Sequence, residues 1–395
     1  MFTKCTYIVI LVLSILIIST GCEYDSPQEV WNPDQSAIPA PKIASVVPAD
    51  MAVAGIDEIQ ILGENFPTNP DSVIVWFDTS RVPVASISAT QLVVNRPAIV
   101  GDVTIKVVVP AALEIAKFSP YSIEEVSSVL GDLSSQRNVY SIAVDKSENI
   151  YVADRRAIKI MSPDGTTLDD YASPRINTFT QILAGPEGYI YFFEDDKTIS
   201  RIDPASKDTE DFVKLAKNVS YGDFDADGNL YAGGGDGLYV VNTDLANRLV
   251  AYSKEYEILS VRVYDNAVYI LAENDNEPKV GIWKNQINDA TGTLGDNELV
   301  LDWAASEYAD YAPTSITFTD NGDMIIGMGD HPNYPIIVYK DGALKPLYQN
   351  PDLLAPTCTQ LVWGNAKYLY VNRGSNLEVV RLKMATNGAP YYGRE

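Results

Sequence analysis

The sequence predicts an all-β protein made of a small N-terminal β-sandwich followed by a six-bladed β-propeller. Short strand-like segments alternate with turn residues from residue 41 onward, and no stretch of helical periodicity interrupts them. In the second part of the chain a unit of about 40 residues recurs, and a period of this length is typical of propellers or solenoids.

The chain begins with the pattern of a secretory signal peptide. One cation, Lys4, precedes an almost wholly apolar run over residues 7–18, and small residues occupy positions 19–21. The run is shorter than the roughly 20 apolar residues that a membrane-spanning helix needs. A charged start, a short apolar segment and a small-residue end predict a signal that is removed on export.

The cleavage region resembles a bacterial lipoprotein signal, in which small residues precede a cysteine that is acylated and becomes the new first residue. The resemblance implies that residues 1–21 are removed and that Cys22 carries the lipid. Residues 22–40 are polar and lack periodicity, as expected of a lipidated tether. Ser19 stands where leucine is commonest, so an ordinary signal with an incidental cysteine is the alternative.

The remaining cysteines do not predict a disulfide within one mature chain. Cys5 lies in the predicted signal, and Cys358 is left without a partner. Cys358 lies at a predicted strand start, where a small buried apolar residue is the favoured interpretation.

Residues 41–123 are predicted to form the sandwich. Strand-like segments lie at 41–43, 46–48, 59–62, 73–77, 84–94 and 101–107. In this order they resemble the IPT/TIG family of immunoglobulin-like modules, which implies an immunoglobulin-like β-sandwich serving as a spacer, with adhesion as the second hypothesis. Gly63 and Asn65 would permit a turn with positive φ, after which Phe66 would fold back onto the core.

Residues 124–395 are predicted to form the propeller. Tyr151, Tyr191 and Tyr231 recur every 40 residues in six related units, each with four strands, which is the pattern of a six-bladed propeller. The sixth unit lacks an obvious fourth strand, which residues 121–130 are expected to supply. Residues 145–154 resemble the repeat of NHL-type propellers, although the histidine that names that family is absent.

The formal net charge of −24 argues against a nucleic-acid partner and against a surface that lies on anionic lipid, because both would repel it. An acidic surface is a common route to solubility in exported domains.

Related propellers include gluconolactonases and streptogramin lyases, which place metal ligands or a histidine at the channel mouth. Asp223 and Arg262 are the charged residues predicted within the innermost strands, and the single histidine, His331, lies outside them. We therefore predict no catalytic residue, no metal and no cofactor. The six positions that start the innermost strands do not ionise near neutral pH: Ser141, Gln181, Tyr221, Ser260, Ser315 and Gln360.

The segment beginning at Asp223 invites comparison with a calcium loop, since Asp225, Asp227 and Gly228 follow at the required spacing. Such a loop needs a bidentate glutamate at its twelfth position, where this chain has Gly234. A hairpin turn repeated in every blade is the favoured interpretation.

The candidate ligand-binding residues are aromatic and polar side chains that the repeat does not explain. Two loop classes of the fifth unit should meet on one face beside the channel mouth, with Glu273, Asn274 and Asp275 of the fourth unit added to that face. Ordinary loop packing is the alternative. The candidate residues are Tyr308, Tyr311, Asp330, His331 and Tyr334.

These features suggest a surface lipoprotein that acts as a binding or scaffolding module, with an accessory role in glycan capture as the leading hypothesis. The expected partners are a membrane, reached through the lipid on Cys22, and a polysaccharide or a surface protein. The expected location is the bacterial outer membrane, facing the cell surface. A protein-interaction platform is the alternative, and a propeller lyase or lactonase is less favoured.

Overall fold

The computed structural model describes residues 38–49, 51–55, 58–95, 97–110, 112–134, 136, 138–154, 157–172, 179–349, 351–365 and 367–394. The predicted signal, Cys22 and the tether up to residue 37 lie outside these residues. Within the described ranges the fold is almost wholly β, as predicted, with short 3-10 segments at Pro70–Ser72, Pro186–Gly188, Pro351–Leu353 and Gly374–Asn376. None of the helical segments in these ranges has the length and apolarity needed to cross a bilayer.

The N-terminal strands form an immunoglobulin-like sandwich of two sheets, ordered β1-β3-β7-β6 and β2-β9-β8-β4-β5. Along β8, inward and outward residues alternate because one face packs against the other sheet. The strands are β1 (Lys42–Val47), β2 (Met51–Val53), β3 (Ile59–Glu64), β4 (Ile74–Phe77), β5 (Ser80–Val82), β6 (Val84–Ile87), β7 (Gln91–Val94), β8 (Gly101–Val108) and β9 (Ala116–Glu124).

The turn after β3 differs in one respect from the sequence prediction. Asn65 has a positive φ of 62°, and Phe66 is buried in the sandwich core, as expected. Gly63 is required for a different reason, since a Cβ atom there would lie 1.8 Å from the carbonyl oxygen of Lys42 on β1. Only glycine permits this close approach of two strands.

The second part of the chain is a six-bladed propeller, with each blade a four-stranded antiparallel sheet. Blades 1 to 3 contain β11 (Ser141–Val144), β12 (Ile150–Ala153), β13 (Ala157–Met161), β14 (Thr167–Ala172); β15 (Gln181–Ala184), β16 (Ile190–Phe193), β17 (Asp196–Ile202), β18 (Thr209–Val219); and β19 (Tyr221–Phe224), β20 (Leu230–Gly234), β21 (Gly237–Val241), β22 (Asn247–Ala251).

Blades 4 and 5 contain β23 (Tyr256–Tyr264), β24 (Ala267–Asn274), β25 (Val280–Gln286), β26 (Glu298–Asp302); and β27 (Pro313–Phe318), β28 (Met324–Met328), β29 (Ile336–Lys340), β30 (Ala343–Pro346). Blade 6 contains β31 (Gln360–Trp363), β32 (Tyr368–Asn372), β33 (Val379–Lys383) and, from the N-terminal side, β10 (Ser127–Val129). Strand β10 pairs antiparallel with β33. The prediction that residues 121–130 close the ring is confirmed for β10, whereas Tyr121 belongs to β9 of the sandwich.

The repeating aromatic residues fill the space between blades. Tyr151, Tyr191 and Tyr231 are at most 5% exposed, because the inner strands of a blade pack against neighbouring blades on both faces. In five blades the sequence also predicts an aromatic residue in the fourth strand, at Tyr171, Phe212, Tyr252, Trp303 and Tyr348. Tyr171 lies within β14 and Phe212 within β18, whereas Tyr252 and Trp303 come directly after β22 and β26 and Tyr348 follows β30.

The sandwich contacts the propeller near the seam between blades 5 and 6. Leu353, in the segment leading to β31, packs against the sandwich core. Glu124 at the end of β9 forms an ion pair with Lys383 of β33. The chain therefore passes directly from the last sandwich strand into the closing blade.

Candidate functional site

The predicted residues of blade 5 come together around His331. Its ring centroid lies 4.2 Å from that of Tyr311, 5.4 Å from that of Tyr334 and 6.0 Å from that of Tyr308. Nδ1 of His331 accepts hydrogen bonds from the backbone N–H groups of Asn333 (3.1 Å) and Tyr334 (2.9 Å). The imidazole therefore holds the loop that carries Tyr334.

This His331 cluster is packed rather than open. Tyr308 and His331 are each 8% exposed, and Tyr311 and Tyr334 rest half-buried on the core between blades 4 and 5. Asp330 accepts from the backbone N–H of Ala312 at 3.3 Å. The five predicted residues thus lie close together in the structure. Their contacts resemble those of ordinary loop packing, and their role in binding stays a prediction.

Asn274 and Asp275, which the sequence prediction adds to this face from blade 4, form hydrogen bonds with nearby backbone groups of the same blade. Asn274 is 8% exposed, and its side-chain oxygen accepts from the N–H of Asn276 at 3.1 Å. The N–H of Asp275 donates to the carbonyl oxygen of Glu255 at 2.9 Å.

A ring of hydrogen bonds joins the innermost strands around the channel. In each bond a side-chain oxygen of one blade accepts from a backbone N–H of the next blade. In order, the acceptor and donor residues are Ser141 and Ile182 (2.8 Å), Gln181 and Gly222 (2.6 Å), Asp223 and Val263 (2.9 Å), Ser260 and Ile316 (3.3 Å), Ser315 and Leu361 (3.1 Å), and Gln360 and Ile142 (2.7 Å).

Five of the six positions singled out in the sequence therefore carry inter-blade bonds. In blade 3 the acceptor is Asp223, two residues beyond the aligned Tyr221. The carboxylate of Asp223 also accepts a hydrogen bond from Nη1 of Arg262 at 2.6 Å. Both side chains are 2% exposed. Burial opposes the charge of Arg262, but Asp223, Tyr391 and Tyr392 together outweigh this effect and raise the pKa of Arg262.

The C-terminal segment closes one end of the channel, a feature that the sequence analysis did not predict. Ala389 donates its N–H to the carbonyl oxygen of Phe318 at 2.9 Å, at the end of β27. Gly388 lies flat against Trp363, since a Cβ there would lie 2.0 Å from the indole Cγ. Nη2 of Arg262 donates to the carbonyl oxygens of Ala389 (3.1 Å) and Pro390 (2.7 Å).

Tyr391 forms the centre of this closure. Its ring centroid lies 3.6 Å from the guanidinium carbon of Arg262 and 4.0 Å from that of Arg394. Its hydroxyl lies 3.1 Å from that of Thr317. Two cations on one aromatic ring form a compact floor, because each guanidinium is attracted to the ring electrons.

Above this floor lies a cavity of about 280 Å³. Aromatic rings of Tyr140, Phe179 and Tyr221 line it near the strand starts, together with hydrogen-bonding side chains such as Gln181 and Thr314. Because Gln181 and Tyr221 start their strands and Tyr391 contacts the strand ends, the mouth and the floor lie at opposite ends of the channel. The cavity is thus a cup with one open end.

The carboxylates of the possible calcium loop and the thiol of Cys358 have structural roles. The carboxylate of Asp225 accepts from the N–H groups of Asp227 (2.9 Å) and Asn229 (2.8 Å), and Asp145 binds its own hairpin in the same way in blade 1. Cys358 is fully buried, and burial raises the pKa of its thiol. In the described ranges, no group of three or more histidine, cysteine, aspartate or glutamate residues is placed to hold a metal.

Comparison with known proteins identifies the first domain and the overall architecture. Residues 41–122 match the IPT/TIG domain family, so the sandwich is an immunoglobulin-like module of that type. No curated protein matches the sequence.

Several solved structures share the architecture. An auxiliary nutrient binding protein from Bacteroides ovatus ATCC 8483 has a TM-score of 0.51 at 13% identity, covering 89% of this chain and 99% of its own. One from Bacteroides thetaiotaomicron VPI-5482 has a TM-score of 0.51 at 12% identity, covering 89% and 98%. A third, also from Bacteroides thetaiotaomicron VPI-5482 and provisionally described as a phosphatase, has a TM-score of 0.52 at 12% identity, covering 87% and 97%.

At such low identities, and with two different descriptions among them, these similarities show the fold alone. The protein thus belongs to the class of chains that join an immunoglobulin-like module to a propeller.

Proposed function

We propose that this protein is a surface lipoprotein that captures a glycan fragment in the open mouth of its propeller channel, as an accessory to glycan uptake. The observation that carries the proposal is the cup-shaped cavity, which combines aromatic rings with uncharged hydrogen-bonding side chains. A sugar presents apolar faces and hydroxyl groups, and a pocket that offers both kinds of contact suits it. At about 280 Å³ the cup accommodates the end of a glycan rather than its interior.

Two further observations support capture at a surface. The lipoprotein-like signal and Cys22 would hold the protein at a membrane, and the sandwich would keep the propeller away from it. Two proteins with the same architecture are described as auxiliary nutrient binding proteins, which is consistent with an accessory role.

The His331 cluster is the second place on the propeller where a glycan would bind. Tyr311 and Tyr334 are half-buried there rather than fully enclosed. The two sites are separable by mutation, because they use different tyrosines.

The test is binding of the soluble protein, residues 23–395, to a panel of polysaccharides and oligosaccharides by calorimetry. The double variant Tyr140→Ala, Tyr221→Ala removes half-buried rings from the cup, and Tyr311→Ala, Tyr334→Ala removes matched rings from the cluster. Loss of binding in the first variant alone supports the proposed site. Loss in the second alone moves the site to the cluster, and no binding by the unaltered protein refutes glycan capture for that panel.

A further inference from the structure

Among the described residues, the floor of the channel cup carries one cation more than it carries anions. The charged side chains of this part of the chain that line the cavity are Asp223, Arg262 and Arg394. Asp223 and Arg262 neutralise each other at 2.6 Å, which leaves Arg394 in excess. This local excess stands out in a chain whose formal net charge is −24.

The terminal nitrogens of Arg262 have little capacity left to bind a ligand directly, although its buried Nε, like that of Arg394, has no hydrogen-bond partner among the described residues. Its two terminal nitrogens donate to Asp223, to the carbonyl oxygen of Val263, and to those of Ala389 and Pro390. These bonds fix its position against Tyr391. Arg262 therefore contributes a positive charge to the floor and orients the aromatic ring, while its four terminal donor bonds stay within the protein.

Arg394 is held less completely. Nη1 donates to the carbonyl oxygen of Trp363, whereas its buried Nε has no hydrogen-bond partner among the described residues. Burial lowers the pKa of Arg394 to about 10, and the nearby charge of Arg262 adds to this effect, while Tyr391 and Asp223 oppose it. A buried guanidinium N–H without a partner is costly, and an added anionic acceptor would remove that cost.

The nearby carboxylate of Glu148 does not fill this role through a hydrogen bond. Glu148 acts on Arg394 electrostatically, but its oxygens accept from the hydroxyl of Tyr370 at 3.0 Å and from the N–H of Asn365. These contacts tie the blade 1 hairpin that carries Glu148 to the first hairpin of blade 6.

We infer that the floor of the cup binds the carboxylate of an acidic sugar, with Arg394 as the direct contact and Arg262 and Tyr391 as positioning residues. The inference rests on the proposed function and specifies its substrate class as a glycan end that carries a uronic acid. A guanidinium and a carboxylate form paired, charge-assisted hydrogen bonds, which are stronger than neutral ones. The hydroxyl groups of the same sugar would face the polar side chains higher in the cup.

The experiment compares binding of D-galacturonate and D-galactose by calorimetry to the soluble protein, residues 23–395. We expect galacturonate to bind at least tenfold more tightly, a difference of about 1.4 kcal/mol. In Arg394→Gln this preference should disappear, whereas Arg394→Lys should retain part of it because the charge remains. Arg248→Gln removes an exposed arginine of blade 3 and serves as the matched control with unchanged binding.

The outcomes separate the inference from the proposed function. Equal binding of both sugars in the unaltered protein, or a preference that survives Arg394→Gln, overturns the acidic-sugar inference and leaves glycan capture standing. Absence of binding by either sugar, together with absence of binding to the polysaccharide panel, overturns both. Thermal unfolding of each variant confirms that a loss of binding does not reflect a loss of fold.

Discussion

At the scale of single residues, the Asp223 and Arg262 pair shows how one substitution alters a repeated motif. Five blades use an uncharged acceptor in the innermost strand. It is the first residue of β11, β15 and β31, whereas Ser260 and Ser315 lie inside β23 and β27 rather than at their starts as predicted. Blade 3 uses a carboxylate two residues after its strand begins. The carboxylate allows a buried arginine in the next blade, and that arginine in turn anchors the C-terminal segment. The carboxylate of Asp223, used in place of an uncharged acceptor, thus links the ring of blades to the floor of the channel through Arg262.

Replacing Asp223 with asparagine should destabilise the protein by about 3–5 kcal/mol, because the buried charge of Arg262 would lose its partner. Thermal and urea unfolding would measure the loss. The double variant Asp223→Asn, Arg262→Met should recover part of it, since no uncompensated charge then remains. A double variant less stable than the single one would contradict this account of the pair.

His331 gives a second prediction, on pH dependence. Burial lowers the pKa of His331 below its usual value, and Asp330 opposes the shift. As the pH falls through the usual range of histidine, the unfolded chain binds a proton that the folded chain resists, so stability decreases.

The thermal midpoint should therefore fall between about pH 7.5 and pH 5.5, and fall less in His331→Asn. Asparagine retains an oxygen that can accept the two backbone bonds now made by Nδ1. Because the sequence contains one histidine, identical pH profiles for the two proteins would show that this imidazole does not titrate as proposed.

At the scale of elements, the innermost strands are held to their neighbours by side chains as well as by apolar packing. Strands β11, β15 and β31 begin with a residue whose oxygen accepts a backbone N–H of the next blade. These N–H groups lie at the channel wall, beyond the antiparallel ladder of their own blade. The ring therefore satisfies polar groups that sheet pairing leaves unpaired.

Replacing Ser141 with alanine should cost about 1–3 kcal/mol, because the buried N–H of Ile182 loses its acceptor. Ser147→Ala is the matched control, since Ser147 is exposed in the same blade. Unfolding of both variants in urea gives the comparison. Equal stability of the two variants would argue that the ring bonds contribute nothing measurable.

At the scale of the whole molecule, both ends of the propeller chain complete the ring. Strand β10 supplies the outer strand of blade 6, and the C-terminal segment closes the channel from the strand-end side. The sandwich rests on the same region through Leu353 and Lys383. The region of blades 5 and 6 thus contacts both the sandwich and the C-terminal segment.

Removing residues 386–395 should open the floor and destabilise the propeller more than Ser141→Ala does. Arg262 would lose two carbonyl acceptors, and Trp363 would lose the glycine backbone packed on its face. Amide hydrogen exchange of β27 and β31 should increase. A chain that ends at Arg394 is the control, and equal exchange in the two shortened chains would show that the segment is dispensable.

The sequence alone determined the architecture, because strand and turn patterns are local and the propeller repeats them. The positions of Ser141, Gln181 and Gln360 at the channel, the burial of Tyr151 and Tyr231, and the closing strand near residue 127 all follow from that repetition. The turn after β3 is also predicted from local residues, because turn patterns are local. The need for glycine at position 63, however, depends on the neighbouring strand β1.

Tertiary structure decided what the site is. The fifth-blade residues converge as expected, but only packing shows that Tyr308 and His331 are largely buried. The floor formed by Arg262, Tyr391 and Arg394 joins residues more than 100 positions apart and belongs to no repeat. No local pattern marks such a contact, because its energy comes from charges and rings that meet only after the ring of blades has closed.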